Sequence, residues 1–265
     1  FTAINLLQRL GLDESSFLIP LGPRDFEICN LQKEIVALNA QSQFEQALER
    51  IDRLEKLVAP KEKLAQQFLL RSRALAGYWQ DGKRQPYDYP TQRQMLLDAL
   101  EITHPDFDLE KIERCLLSTE DIKSLNQIAI TYSETGDRRF AIRIYEQLMR
   151  YPHSKLFNNE ALLTVVPLLC YNYSRLLGRE RRYEECIEVA QYGYDICLKY
   201  NKARLLGGLL LNVGYSLQKL GEDEEAKKKL IESYYAFMIV KKFSSAQKVK
   251  DYMKETFGIE FKGDI

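Results

Sequence analysis

The stretch LNQIAITYSETGDRRFAIRIYEQL, Leu125–Leu148, decides the fold. Its apolar residues recur at three- and four-residue spacing, the period of a helix with one buried face. Ser133–Asp137 interrupts that period once, and Gly136 offers a left-handed exit from the first helix. The stretch therefore predicts two antiparallel helices joined by a short turn. Ala129 and Ala141 lie twelve positions apart, one on each predicted helix. Two such helices approach closely only where side chains are small, so this pair marks the crossing.

The pattern returns twice. CYNYSRLLGRERRYEECIEVAQYG, Cys170–Gly193, sets Ser174 opposite Cys186, and LLNVGYSLQKLGEDEEAKKKLIES, Leu210–Ser233, sets Gly214 opposite Ala226. Larger residues surround the crossings: Leu125, Ile128, Tyr132, Tyr145 and Leu148 in the first copy, Leu210, Val213, Leu217 and Leu230 in the third. Ala129→Leu or Gly214→Leu is expected to overpack a crossing at a cost of about 1–3 kcal/mol each. The small residues of the second helices, Ala141, Cys186 and Ala226, recur 45 and then 40 positions apart. The standard TPR period is roughly 34, so the helices here are expected to be longer. A weaker copy runs Leu31–Leu54, with Ile35 where a small residue is expected, and a degenerate one runs Leu64–Leu100. The fold class read from these copies is all-α: a TPR-like helical-repeat solenoid of about five helix pairs plus a C-terminal capping helix.

Breakers divide the rest. Ile4, Leu7 and Leu10 open a helix, and Pro20, Gly22 and Pro23 close the loop after it. Residues 1–25 read as a linker helix and loop, and 26–265 as the repeat domain. Helices are expected over 26–40, 44–58 and 62–79, with Asp81-Gly82 ending the third and almost no strand signal anywhere. Thr91 is read as the cap of a helix reaching Thr103. A short helix follows over 109–116, and Ser118–Asp121 is a cap-rich start for the next. The last helix, 244–257, ends at Gly258 and carries Val249, Tyr252, Met253 and Phe257 at helical spacing.

Composition narrows the function classes. Lys and Arg number 38 against 38 Asp and Glu, so nothing predicts specific DNA binding by this region alone. No apolar run reaches the roughly 18–20 residues of a membrane span, so no membrane partner is expected. The five cysteines form no CxxC pair, which suits reduced thiols in a cytoplasmic protein. His104 and His153 sit beside prolines at helix ends without a ligand set, which predicts structural roles and no metal. No Ser/His/Asp arrangement, phosphate loop or dinucleotide fingerprint is legible, so the chain reads as a binding protein without cofactors, not an enzyme. Gly207-Gly208, inside an apolar helix start, reads as a packing contact.

Asparagines mark the candidate site. Asn126, Asn172 and Asn212 fall at near-equivalent places on the first helices of the three best copies. First helices line the concave surface of such arrays, which is where they bind. An amide answers both the N–H and the C=O of an extended peptide. Arg73, Arg175, Arg179 and Lys219 fall on the same predicted face, with Tyr171 and Tyr215. Asn172→Ala and Asn212→Ala are expected to weaken peptide binding roughly tenfold each and to leave the melting temperature almost unchanged.

At these residues a family resemblance appears. LLQRLGLDESSF (Leu6–Phe17), DALEITHPDFD (Asp98–Asp108), LLSTEDIKSLNQIAITYSETGD (Leu116–Asp137), YNYSRLLGRERRYEECIEVA (Tyr171–Ala190) and KETFGIEF (Lys254–Phe261) resemble the TPR regions of the RRNPP group. These are peptide-pheromone receptors of Gram-positive bacteria, and the likeness is to Rgg- and PlcR-like regulators. The resemblance implies a cytoplasmic, homodimeric transcriptional regulator used in quorum sensing. A DNA-binding helix-turn-helix precedes the TPR region in such proteins; none is found here, and the opening helix resembles the linker that follows it. The resemblance also implies a peptide ligand held partly by asparagines. Asn172 and Asn212 match, while Asn126 is displaced by one residue and leaves Gln127 as a competing candidate. Two other functions stay open: a TPR scaffold for a protein partner, and a Rap-like response-regulator phosphatase using Gln32, Gln66 or Gln67.

Overall fold

The computed structural model describes residues 22–154 and 164–259. The expected opening helix of residues 1–21 lies outside them. Contacts group the chain into two units, Phe1–Ala161 and Leu162–Ile265. Each is built from antiparallel helix pairs, and the fold is all-α and TPR-like.

Among its described residues the first unit holds three pairs. Helices α1 (Pro23–Ala40) and α2 (Phe44–Leu57) form the first, α3 (Lys63–Ala76) and α4 (Tyr89–Glu101) the second, α5 (Thr119–Glu134) and α6 (Arg138–Ser154) the third. Ile28, Leu31 and Ile35 of α1 pack on Ala47, Leu48, Ile51 and Leu54 of α2, and on Ala65, Phe68 and Leu69 of α3. Ile35, in the place expected to be small, is fully buried opposite Ala47. A 3-10 turn, Leu109–Arg114, is stapled to α6 by Gln147, whose amide accepts from the Ile112 N–H at 3.0 Å and donates to the Leu109 carbonyl at 2.9 Å.

Two expectations fail in the second pair. Helix α3 stops at Ala76, not Trp79, and a hairpin of strands β1 (Tyr78–Gln80) and β2 (Lys83–Gln85) follows. Gly77 turns the chain at φ 98°, where a side chain would strike the Gln85 carbonyl oxygen. Asp81 and Gly82 both have positive φ, so Asp-Gly is the two-residue turn between the strands and not a helix stop. The cap of α4 is Asp88, whose carboxylate accepts from the Thr91 N–H at 2.8 Å; Thr91 supplies the donor.

The second unit holds α7 (Val166–Arg179) with α8 (Tyr183–Lys199), α9 (Leu206–Lys219) with α10 (Asp223–Ile239), and a final helix α11 (Phe243–Phe257). A 3-10 turn, Ala203–Leu205, precedes α9. The expected crossings are buried: Ala129 with Ala141, Ser174 with Cys186, and Ala226 beneath Gly214. Val249 and Met253 are fully buried in a cluster with Leu230 and Phe237 of α10, and Tyr252 and Phe257 pack beside them. The chain's own α10 thus covers the apolar face of α11.

Turn chemistry explains why the copies differ in sequence. Gly136 and Gly221 leave their helices at φ 99° and 85°, as expected, but the equivalent turn of the middle copy puts Arg181 at φ 61°. A left-handed non-glycine residue costs roughly 1–2 kcal/mol, part of which glycine returns as unfolded-chain entropy. Arg181→Gly should therefore raise the unfolding free energy by about 0.5 kcal/mol. A thermal melt no higher than wild type would overturn this.

Candidate functional site

The first helices of the second unit are locked in register by contacts between their small and polar residues. Gly208 of α9 lies under the Tyr171 ring of α7, so closely that an added Cβ would sit 2.5 Å from it. The expected packing role of this glycine is borne out, and Gly207 meets the Phe237 ring in the same way. Asn212 reaches from α9 to α7: its amide nitrogen donates to the Tyr171 carbonyl at 3.1 Å and to Ser174 Oγ at 2.8 Å. Ser174 in turn donates to the Tyr171 carbonyl at 3.2 Å. The same register places Asn212 beside Ser174, the neighbour of Arg175, and Ser216 beside Gly178, the neighbour of Arg179.

What this face presents is specific. Both hydrogens of the Asn212 amide are committed to α7, which leaves its oxygen as the acceptor. Arg175 and Arg179 are exposed, one turn apart. Tyr215 stands between the rings of Tyr183 and Tyr252, with centroids 6.5 and 6.0 Å away, and the Lys219 ammonium lies 5.3 Å over it. Tyr252 donates to Gln218 at 3.2 Å. Tyr171 and Asn172 are half-buried on α7. The arrangement offers acceptors, forked cations and an aromatic shelf, and no nucleophile beside a base.

Asn212 is thus also structural, which corrects the expectation of an unchanged melting temperature. Asn212→Ala removes two interhelical hydrogen bonds and should cost about 1–2 kcal/mol; a denaturant midpoint equal to wild type would show those bonds carry nothing.

In the first unit the expected residues are largely spent on packing. Asn126 is 4 % exposed, and its amide oxygen accepts from the Tyr145 hydroxyl at 3.2 Å. Gln127, half-buried, donates to Gln92 at 3.1 Å, which donates to the Ala74 carbonyl at 2.8 Å. Arg73 pairs with Asp52 and Glu55, both at 2.9 Å. Of the glutamines weighed for phosphatase chemistry, Gln66 donates to the Ala59 carbonyl at 3.3 Å. Gln67 is buried and donates to Asp121 at 2.6 Å.

Sequence reasoning missed the centre of this unit, Asp121. Its carboxylate is wholly buried and also accepts from the Ser118 N–H (2.7 Å) and Oγ (2.8 Å), with His104 Nε2 at 3.0 Å. Burial pushes the carboxyl up, but the His104 hydrogen bond and charge, the Ser118 N–H and Gln67 outweigh it and hold Asp121 at about 2. Serine, histidine and aspartate do meet here, yet the hydroxyl donates to the carboxylate and not to the imidazole. It is therefore a capping box at the start of α5 and not an activated nucleophile. The cap-rich run from Ser118 was the available signal. His104 is structural, as expected; the side chain of His153 lies outside the described residues. No group of residues suited to a metal ion occurs among those described. No helix there is long and apolar enough to cross a membrane.

The profile described as "RNPP family C-terminal domain" matches residues 32–255. A comparison with curated protein sequences finds no match. Among solved structures, Bacillus thuringiensis PlcR in complex with the peptide PapR7 and DNA is similar at TM-score 0.70 and 20 % identity, over 86 % of this chain and 76 % of that one. PlcR in its apo form is similar at TM-score 0.66 and 22 % identity, over 84 % and 76 %. At such identities the likeness concerns the fold.

Proposed function

We propose a sensing function from the premise that this chain belongs to the RNPP family, whose C-terminal domain it carries over residues 32–255. The chain is the ligand-sensing region of a cytoplasmic transcriptional regulator, and a short signalling peptide docks on the first-helix face of the second unit. One observation carries the reading: α7 and α9 are held in register through Asn212 and Gly208, and the same two helices carry the exposed guanidinium groups of Arg175 and Arg179 and the aromatic shelf at Tyr215. An extended peptide brings backbone groups that cost about 1–3 kcal/mol each when buried without partners. Asn212 accepts a peptide N–H, and Asn172 extends the polar line along α7. Arg175 and Arg179 take a carboxylate by forked hydrogen bonds. Tyr215, between Tyr183 and Tyr252, receives an apolar anchor. The PlcR fold, seen with a bound peptide, supports the same use of this fold. No catalysis is assigned to the chain.

The test is selection from a short-peptide library on the full chain, followed by calorimetric titration of the selected peptide. Arg175→Ala and Arg179→Ala should each weaken binding about tenfold, or about 1.4 kcal/mol, and amidating the peptide carboxylate should mimic their loss. A peptide that binds all three forms equally, or no enriched peptide at all, would sink the reading. A two-fold dimer belongs to the proposal on the symmetry of regulators that read palindromic sites, and not on α11. Light scattering showing a concentration-independent monomer mass would refute it.

A further inference from the structure

Basic residues gather where the pairs of the second unit join one another. No Asp or Glu occurs between Ile196 and Gly221, or between Ser233 and Lys250. The end of α8 and the turn after it carry Lys199, Lys202 and Arg204, and the turn after α10 carries Lys241 and Lys242. The two turns touch: Lys242 Nζ donates to the Arg204 carbonyl at 3.2 Å. Burial, then the Arg204 charge, push the Lys242 ammonium below its usual range. At the start of α10 the lysines are neutralised, Lys227, Lys228 and Lys229 each pairing with a glutamate three residues away. Lys199, Lys202, Lys241 and Lys242 have no such partner among the described residues.

An apolar strip runs into this basic end. Ile231, Tyr235 and Ile239 follow one another every four residues along α10, and Phe243 opens α11. They are 37, 48, 78 and 58 % exposed, although the buried side of α10 is supplied by other residues, among them Leu230 and Phe237. A helix of a globular protein normally keeps its outward stripe polar. From Ile231 to Ile239 the strip is about 12 Å long at 1.5 Å per residue.

We propose that this strip and its basic end dock an acidic amphipathic helix of a partner protein. The apolar line takes the i, i+4, i+8 face of a helix laid along it, and Lys202, Lys241 and Lys242 take the carboxylates at one end. A narrow line of side chains suits a rod and not a plane such as a bilayer. Because the whole chain carries no net charge and salt screens beyond roughly 10 Å, the patch acts on a partner that fits it, not on an extended polyanion. A second copy fits poorly: antiparallel pairing of α10 about Tyr235 sets Lys241 and Lys242 against Lys229 and Lys228.

The test uses the full chain and a labelled synthetic helix with glutamates on one face and leucines at i, i+4, i+8 on the other, followed by fluorescence anisotropy. Ile239→Ser, and separately Lys202→Glu with Lys241→Glu, should each weaken binding about tenfold at unchanged melting temperature. A lysine-for-glutamate version of the helix should not bind. The proposal is overturned if no binding is seen, if the variants bind like wild type, or if the lysine helix binds equally. Sedimentation with phosphatidylserine vesicles in place of helix binding, or self-association abolished by Ile239→Ser, would also overturn it, in favour of a membrane or a second copy.

Discussion

Asp121→Ala should lower the unfolding free energy by about 3–5 kcal/mol, the range for removing one partner of a buried charged network. The wild-type carboxylate answers Gln67, the Ser118 N–H and hydroxyl, and His104 in a space closed to water. Alanine leaves these donors facing nothing and removes half of the capping box of α5. The same site sets an acid dependence. The folded carboxyl titrates at about 2, below its model-peptide value of 3.8, so its contribution is complete above pH 4 and is lost as pH falls toward 2. That depression is equivalent to about 2 kcal/mol at one unit per 1.36 kcal/mol. Asp121→Asn, which cannot titrate, should show a flatter stability profile between pH 4 and 2. Guanidinium melts across that range decide the matter; a loss below about 1 kcal/mol for alanine, the size of one ordinary hydrogen bond, would mean the network is not coupled.

Gly193→Leu should be the most damaging of the helix-crossing substitutions, at about 3 kcal/mol or more, the upper end for overpacking. An added Cβ at Gly193 would stand 2.5 Å from the Cys170 Cβ and 3.0 Å from Leu209. The Cys170 Cβ is one bond from its backbone and cannot swing away, so α7 and α8 must separate. At Gly214 the Cβ would meet the Leu230 side chain at 2.8 Å and the Ala226 carbonyl oxygen at 3.2 Å. The nearest atoms there belong to the Leu230 side chain and not to a Cβ fixed on the backbone, so Gly214→Leu should stay within about 1–3 kcal/mol. Equal midpoints for the two variants in urea would falsify this ordering.

Gly193 shows where sequence reading stopped. Its aligned positions in the other copies are Leu148 and Ser233, and the leucine breaks the small-residue pattern that would have pointed to it. In the last pair Ser233 does the corresponding work by donating to the Gly207 carbonyl at 2.7 Å. Asn126 shows the same limit for the site. It sits beside the expected repeat place, but that one-residue displacement turns its amide to Tyr145 and away from solvent. The hairpin at Asp81-Gly82 was a different kind of miss: two three-residue strands are too short to show a period, although the turn dipeptide was legible.

The sequence by itself determined the helices, most of their ends, the pairing of consecutive helices and the crossings at Ala129, Ser174 and Gly214. Those depend on chemistry within a few residues and on a periodicity that repeats along the chain. Only the tertiary structure decided which polar side chains are consumed inside the protein and which face outward. The Asn212 amide is half spent on α7, Arg73 is held by Asp52 and Glu55, and Asp121 gathers donors from three separate segments. A hydrogen bond between helices depends on their register to within a fraction of a turn. That register is set by the summed packing of many distant side chains, which no local spacing encodes.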